Sequence, residues 1–489
     1  MNFIVALLYC TLILSFKIPK EILAHFKSLF FKNKRIPPSL SQRIMTTMSR
    51  TFELYLPTFL LKLMIRTLSK IIYSVKGRRW VKKLDANNEK DGWEGYLIAD
   101  NVKHSEIGKD ADMIILYAHG GAFVFGDALM TLEMFIDWIK TWKSNHGVNT
   151  QILSLEYRLS PKYSFPIARD NILACYEWLV TEKNISPSKI AFAGDSAGGN
   201  LAIVSAIHLV NNPCLYSIDP PAAIVLLSPF LSGMLNTRSV IDNASYDTLD
   251  PTWLHRCMES YIGDSNLLIS NSMISPVFES QLSDLPKVWA CAGGYEIFLD
   301  DIKKFIGKLI QNDVKAELVI EDTNFHDYAI GKAASRDGAY ERSIKYIGNF
   351  LLRYYDIPRN PGVREKKNFS REILPSLCRD APSLCWDATF PLLGCYLPEK
   401  CVTLSFSWNR NSCYKNMNSL NKSERHCSRY RPTSILERTF QPVNVTRSIL
   451  STFFQEINLE LPKEIKLNEK VEVVNGMTTN QKRTFWNRL

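Results

Sequence analysis

The stretch KIAFAGDSAGG at residues 189–199 decides the fold, because its pattern is that of a buried strand turning directly into a helix. The run at residues 189–193 predicts the strand, and the apolar residues of 197–209 predict the helix. Between them lies the pattern G-x-S-x-G, whose glycines avoid the clashes that side chains would make in so tight a turn. The N-terminus of the helix favours negative charge beside the turn. In this strand–turn–helix context Ser196 is predicted to be a nucleophile.

Short apolar runs alternate with helical patterns on either side of this stretch. Six runs fit buried strands, at residues 113–118, 151–156, 189–193, 222–227, 288–292 and 316–320. Helical patterns lie between them, notably at residues 168–180, 197–209 and 302–311. This alternation predicts an α/β fold with a mostly parallel central sheet flanked by helices. The domain is predicted to span residues 101–357, and Pro358, Pro361 and Gly362 mark its end.

A glycine-rich loop, His119-Gly120-Gly121-Ala122, follows directly after the predicted strand 113–118. When a hydroxyl attacks an ester, the tetrahedral oxyanion needs backbone N–H donors already in place, and losing one donor costs roughly 3 kcal/mol. We predict that Gly121 and Ala122 are donors and that Ala197, just after the nucleophile, supplies a third. Gly120 is predicted to shape the loop of this oxyanion hole.

A base and an acid follow the nucleophile in the chain order serine, carboxylate, histidine. The chain has only eight histidines, and His326 lies just after the last predicted strand. For the acid we favour Glu296, just after the predicted strand 288–292, over its competitors Asp300 and Asp301. Those two aspartates are expected inside the following helix, where reach toward the histidine is poorer. Ser196 would attack, His326 would take and return its proton, and Glu296 would orient and stabilise the imidazole.

Residues 112–355 resemble the hormone-sensitive-lipase-like branch of the α/β hydrolases. The resemblance rests on the glycine-rich loop, the serine turn and four further motifs: YRLSP at 157–161 with FP at 165–166 and Asp170, LSP at 227–229, SP at 275–276 and EIFLDD at 296–301. It implies the α/β-hydrolase fold and puts Glu296 at the catalytic acid. Two residues depart from the family's pattern. Ala122 replaces the third glycine, so its methyl is expected to narrow the acyl pocket, and Glu296 replaces aspartate.

The branch includes arylacetamide deacetylases and fungal steryl acetyl hydrolases, so the resemblance implies a serine carboxylic-ester hydrolase. We expect a lipophilic acyl ester as substrate, such as a short-chain acetyl ester of a sterol or similar alcohol. An arylacetamide-type amidase or a lipase is the alternative, and a catalytically inactive binding protein of the same fold is a third hypothesis. The triad needs no cofactor, and the sequence contains no phosphate loop, metal-ligand cluster or nucleic-acid-binding motif that competes with it.

The N-terminal segment is basic and apolar. The formal net charge of the chain is +10, and residues 1–83 hold 16 Lys and Arg against Glu21 and Glu53, which favours a membrane partner over nucleic acid. The apolar run at residues 3–16 predicts a signal anchor at 1–20, with a cleaved signal peptide or a buried helix as alternatives. Residues 21–100 are predicted to be a basic amphipathic helical cap or membrane-proximal segment. Within this segment, residues 52–75 are predicted to form an amphipathic helix that is interrupted near Pro57. The helix would cover the active site, lie on a membrane, or pack against the domain.

The charge distribution of the chain and its family resemblance imply opposite membrane orientations. Positive charge follows the apolar run, which by the positive-inside rule leaves the bulk of the chain cytoplasmic. The resemblance to membrane-anchored deacetylases instead implies a single-pass protein of the endoplasmic-reticulum membrane with a lumenal catalytic domain. The sequons at Asn184 and Asn243 would be usable glycosylation sites there. We favour the lumenal orientation.

The tail at residues 358–489 does not resemble the family. Six of the eleven cysteines fall between Cys378 and Cys427, with no C-x-x-C spacing that would suggest a zinc knuckle. Disulfides and free thiols both remain open, and no oligomeric state is indicated. We expect a largely irregular tail with one short helix at residues 449–459.

Overall fold

The structure, a computed structural model, describes residues 3–30, 35–85 and 93–353. Within those ranges the helices are α1 Phe3–Phe30, α2 Leu40–Tyr55, α3 Thr58–Lys76, α4 Leu132–His146, α5 Ile167–Thr181, α6 Ser196–Asn211, α7 Arg238–Asp242, α8 Pro251–Ile262, α9 Leu299–Gln311 and α10 Ala339–Leu352. The strands are β1 Val81–Asp85, β2 Glu94–Ile98, β3 Met113–Ala118, β4 Thr150–Glu156, β5 Ile190–Asp195, β6 Ala223–Leu227, β7 Lys287–Gly293 and β8 Ala316–Glu321. The predicted tail, with its clustered cysteines and its helix at 449–459, lies outside the described residues.

The strands form one eight-stranded sheet in the order β1-β2-β4-β3-β5-β6-β7-β8. Strands β3 to β8 run parallel, and β1 and β2 are antiparallel additions at one edge. Because parallel strands end at the same edge of a sheet, the loops after β3, β5, β7 and β8 meet there. The register pairs Ala118 with Gly194, which sets the glycine-rich loop beside the serine turn. It also pairs Gly293 with Glu321, which sets the acid turn beside the base turn.

Two hydrophobic cores cover the two faces of the sheet, as the fold prediction requires. The side chains of β3 alternate between these cores, although all six are buried. One core includes α5, α6 and α9 and receives Ile114, Leu116 and Ala118. The other includes α4 and α10 and receives Met113, Ile115 and Tyr117. Burial on both faces explains why the parallel strands are continuous apolar runs in the sequence.

All six predicted strands are confirmed to within two residues, and the predicted α/β-hydrolase fold is confirmed with them. The prediction of a helical cap through residue 100 is wrong at its C-terminal end, because β1 and β2 belong to the sheet. The sequence of β1, VKKLD, is too charged to suggest a buried strand. Charge is tolerated there because β1 lies at the edge of the sheet and Lys83 pairs with Glu94 on β2.

The described residues of the N-terminal segment form three helices, α1, α2 and α3, before the first strand. The predicted break near Pro57 is confirmed, since α2 ends at Tyr55 and α3 begins at Thr58. Residues 3–16, predicted as the core of a signal anchor, continue without interruption into the charged second half of α1. Among the described residues, no helix is both long and apolar enough to cross a membrane.

Candidate active site

Ser196 is the first residue of α6 and follows β5 directly, in the predicted strand–turn–helix arrangement. Its backbone is left-handed, with φ of 50°, which turns the side chain away from the path of the strand. Gly198 lies against the carbonyl group of Ala118, where a Cβ atom would overlap that group, so this tight turn requires a glycine. The Ser196 side chain is left 7% exposed at an otherwise buried helix terminus.

The glycine-rich loop is held in a single conformation beside this turn. Gly121 and Ala122 both have positive φ, 114° and 49°, and the carbonyl group of Gly121 accepts the N–H groups of Val124 and Phe125 at 3.0 Å. In the described part of the chain, the N–H groups of Gly121 and Ala122 make no backbone hydrogen bond. The first turn of a helix likewise leaves the N–H of Ala197 without an intrahelical acceptor. The loop and helix therefore present donors of the kind predicted for an oxyanion hole.

His119, at the start of the loop, supports it rather than serving as a base. Its ring stacks on that of Tyr157, with the centroids 4.3 Å apart, and the Tyr157 hydroxyl donates to the His119 carbonyl at 2.7 Å. Burial lowers the pKa of the His119 imidazole. Gly120 lies against the carboxylate of Asp195, where a side chain would collide with it, which is consistent with its predicted role in shaping the loop.

Glu296 and His326 meet in the turns that follow β7 and β8. Nδ1 of His326 lies 3.3 Å from Oε1 of Glu296, and both side chains are buried. The competitors for the acid role are engaged elsewhere: the Asp300 carboxylate accepts the Ser239 N–H at 2.8 Å, and Asp301 lies in the first turn of α9. The structure therefore brings together the acid and base that the sequence predicts.

The electrostatics of this pair follow from its burial. Burial raises the pKa of the Glu296 carboxyl, although His326 opposes that shift. For His326, burial acts to lower the pKa, but the carboxylates of Asp327 and Glu296 outweigh it and raise the pKa well above the usual value. Two flanking carboxylates therefore stabilise the charged form of the His326 imidazole.

Comparison with known proteins agrees with this geometry. Residues 115–330 match the family model described as having the alpha/beta hydrolase fold. An esterase of Acinetobacter venetianus is 31% identical over 206 residues, which cover 42% of this chain and 64% of that protein, just under two thirds of its length. The arylacetamide deacetylase of Bos taurus is 27% identical over 152 residues, 30% of this chain and 37% of that protein. An esterase of the bacterial hormone-sensitive lipase family superposes with a TM-score of 0.54 at 25% identity, covering 65% of this chain and all of that one.

The chain has the α/β-hydrolase fold and is similar to hydrolases of the hormone-sensitive-lipase-like family. One further carboxylate, which the sequence does not indicate, connects the acid turn to the base turn. Asp247 accepts the Ile297 N–H at 2.7 Å through one oxygen and the His326 N–H at 3.1 Å through the other. It is fully buried, and burial raises its pKa. No motif marks it, because it lies in the irregular stretch between α7 and α8.

Asn243 orders the same acid turn, although its sequence context predicts a glycosylation sequon. Its side-chain amide donates to the carbonyl groups of Glu296 at 2.7 Å and Gly294 at 3.2 Å. Asn243 is 1% exposed, so the folded chain does not present it for modification. Asn184, the other sequon asparagine, is exposed.

The segment before α2 holds both turns from outside, an arrangement that the sequence did not indicate. Arg35 donates to Asn243 Oδ1 at 2.9 Å, and Arg336, just after the base turn, donates to the Pro37 carbonyl at 3.1 Å. Gln42, in the capped first turn of α2, donates to the Thr323 carbonyl at 2.8 Å. The N-terminal segment is therefore a support for the candidate site.

Proposed function

We propose that this chain hydrolyses carboxylic esters with Ser196 as nucleophile, His326 as base and Glu296 as acid. The observation that carries the proposal is the 3.3 Å contact between His326 and Glu296 at the sheet edge where the Ser196 turn and the glycine-rich loop also lie. Esterases among the relatives support the same reaction class. No metal or cofactor enters the proposed reaction.

In the proposed reaction, Ser196 Oγ attacks the ester carbonyl carbon while His326 takes its proton. The N–H groups of Gly121, Ala122 and Ala197 receive the oxyanion. The imidazolium then protonates the leaving alkoxide, and water repeats the sequence to release the acid. Glu296 stabilises the imidazolium in both halves.

Hydrolysis of nitrophenyl acetate, butyrate and decanoate by the full-length chain tests this proposal. We expect activity in the wild type and its loss in Ser196→Ala and Glu296→Ala. Asp300→Asn is the matched control, since that carboxylate contacts Ser239 rather than the base. Failure of the wild type to hydrolyse any of these esters, together with failure of a fluorophosphonate probe to label Ser196, would support the third hypothesis, an inactive binding protein.

For the substrate we propose a short-chain, acetyl-type ester of a sterol or similar lipophilic alcohol. The support is Ala122, whose methyl group lies in the oxyanion loop, next to a Phe123 ring that stacks on Tyr261 at 3.7 Å. We expect acetate to exceed decanoate in kcat/KM, and Ala122→Gly to reduce that preference. Faster turnover of an acetanilide than of the acetate ester would favour the alternative, an arylacetamide-type amidase, and preference for decanoate would favour a lipase.

We also propose that the N-terminal helices contact a membrane surface. The support is a set of exposed apolar side chains: Leu7, Leu8, Leu12 and Phe16 on α1, and Leu63, Met64, Leu68, Ile71 and Val75 on α3. The same helices carry lysines, which anionic lipids attract. Co-sedimentation with phosphatidylserine vesicles should fall in Leu63→Ser/Leu68→Ser and be unchanged in Leu215→Ser, an exposed leucine elsewhere.

The proposed location is the endoplasmic-reticulum membrane, with the catalytic domain in the lumen. Its support is the resemblance to membrane-anchored deacetylases and the exposed sequon at Asn184. Fractionation and protease protection of the full-length chain test it. Digestion of the domain in sealed microsomes would instead place it on the cytoplasmic side, as the charge distribution suggests.

A further inference from the structure

The residue after the predicted base makes a second carboxylate contact with its imidazole. Oδ2 of Asp327 lies 3.2 Å from Nε2 of His326, on the side opposite Glu296. In a serine–histidine–acid triad Nδ1 faces the acid and Nε2 must face the serine hydroxyl. Among the described residues, no hydrogen bond joins Ser196 Oγ to His326, so Asp327 holds the nitrogen that the nucleophile needs.

We infer that Asp327 is a positioning residue that holds His326 as an imidazolium in the resting enzyme, so that Nε2 must leave Asp327 before it can serve Ser196. This inference rests on the proposed ester hydrolysis. In the resting enzyme the His326–Asp327 ion pair therefore closes the site, and rotation of the imidazole or of the carboxylate opens it.

The attachment of Asp327 allows such a rotation. Its backbone is fixed, because its N–H donates to Ser228 Oγ at 3.1 Å and its φ is 60°. Its carboxylate is not fixed by other groups in the described part of the chain: Oδ1 is buried without a hydrogen-bond partner, and Oδ2 faces only the imidazole. Turning about the side-chain bonds would release Nε2 without moving the turn.

In the described part of the chain, the other charged groups that face His326 or Asp327 come from three separate elements, and all are carboxyls. Glu296 faces Nδ1 from the turn after β7, and Asp247 accepts the His326 backbone N–H from the stretch before α8. Asp195, at the end of β5, interacts with Asp327 and accepts the Tyr117 hydroxyl at 2.6 Å. The remaining neighbour, Phe298, places its ring edge-on at 5.1 Å and carries no charge. Among the described residues, His326 is the only cationic side chain that forms an ion pair with the Asp327 carboxylate.

The sign of the effect follows from this arrangement. Burial acts to lower the pKa of His326, and Asp327 together with Glu296 raises it well above its usual value. Only the neutral imidazole can take the proton of Ser196, so activity appears as pH rises through that pKa. Removing the Asp327 charge should therefore lower the pKa and move the acidic limb of the profile to lower pH.

The pH dependence of kcat/KM on nitrophenyl acetate tests this in the full-length wild type, Asp327→Asn and Asp327→Gly. Glycine adopts positive φ freely, so that variant removes the carboxylate without straining the backbone. We expect the acidic limb to shift down by about one pH unit or more in both variants, the size typical of an adjacent opposite charge. Asp322→Asn, an exposed carboxylate in the same turn, should leave the limb unchanged. A limb that does not move in the Asp327 variants would overturn the inference.

A second measurement separates this inference from the proposed function. Histidine NMR titration, with the His326 signal assigned by its loss in His326→Gln, reports the imidazole pKa without any substrate. We expect a lower His326 pKa in Asp327→Asn than in the wild type, and an equal one would refute the role of Asp327. If no ester is hydrolysed, the proposed function fails while this titration still decides the ion pair.

Discussion

The side-chain amide of Asn243 donates a 2.7 Å hydrogen bond to the backbone carbonyl of Glu296. The predicted acid is therefore held through its own main chain by a residue more than fifty positions earlier. Glu296 is fully buried, so the position of its carboxylate relative to His326 depends on how firmly the turn is fixed. The relationship gives a residue with the sequence of a glycosylation site a structural role in the active site.

Asn243→Ala should impair both stability and catalysis. It removes the Asn243 hydrogen bonds to two buried carbonyl groups and leaves the Glu296 carbonyl with only a 3.5 Å bond from the Leu299 N–H, which costs about 1–3 kcal/mol of unfolding free energy. Displacement of the acid turn should lower kcat by about tenfold to a hundredfold. Urea denaturation and kcat on nitrophenyl acetate measure the two effects. Asn211→Ala is the matched control, since it removes a similar amide-to-carbonyl bond from the surface. Equal behaviour of the two variants would contradict the role given to Asn243.

Glu296→Gln should lower kcat by about a thousandfold to ten-thousandfold, because a neutral amide cannot stabilise the imidazolium. Glu296→Asp should retain part of the activity, with the shorter side chain lengthening the 3.3 Å contact to His326. Steady-state kinetics together with the rate of fluorophosphonate labelling of Ser196 follow both. If Asp300→Asn were inactive and Glu296→Gln active, the acid role would move to Asp300.

Expression in the secretory pathway should give a glycan at Asn184 and none at Asn243 in the folded protein. Asn184 is exposed, whereas Asn243 is buried and hydrogen-bonded on both ends of its amide. Glycopeptide mass spectrometry distinguishes the two sites, and Asn184→Gln provides the control. An active protein glycosylated at Asn243 would show that the acid turn does not need this amide.

Glu53 should make stability depend on pH near neutrality. Burial raises the pKa of its carboxyl to about 7, against hydrogen bonds from the Asp250 N–H and Ser49. A raised carboxyl pKa stabilises the protonated folded state, so this contribution is fully present below about pH 4.5 and is lost as pH rises through 7. The shift corresponds to about 3 kcal/mol at most, at about 1.4 kcal/mol per pKa unit.

Glu53→Gln keeps the acceptor oxygen and removes the titration. We expect its thermal midpoint to exceed that of the wild type at pH 8 and to approach it at pH 4.5. Glu182→Gln, an exposed glutamate at the end of α5, should follow the wild type throughout. A higher thermal midpoint for the wild type than for Glu53→Gln at pH 8 would mean that the hydrogen-bond partners stabilise the Glu53 carboxylate more than burial destabilises it.

The sequence by itself determined the parallel part of the sheet and the motifs at its strand ends. Strands buried on both faces must be apolar throughout, so β3 and β5 to β7 are conspicuous as short runs. The glycines around Ser196 are required by local backbone geometry, which a short window of sequence records. The positions of Glu296 and His326 just after such strands predict that they are the acid and the base, and the structure sets them in contact.

Only the tertiary structure decided which other groups surround these residues. Strand β1 is a charged edge strand that pairs with β2, and β2 in turn pairs with β4, so the two strands are stable in the sheet although their own sequences carry a weak signal. Asp247, Asn243 and Arg35 act on turns that are distant in the chain, and no local pattern records that approach. Asp327 adjoins the base in sequence, but its left-handed backbone is what turns its carboxylate onto Nε2. Local geometry and burial periodicity are encoded in neighbouring residues, whereas hydrogen bonds between distant turns exist only once the sheet has brought its strand ends together.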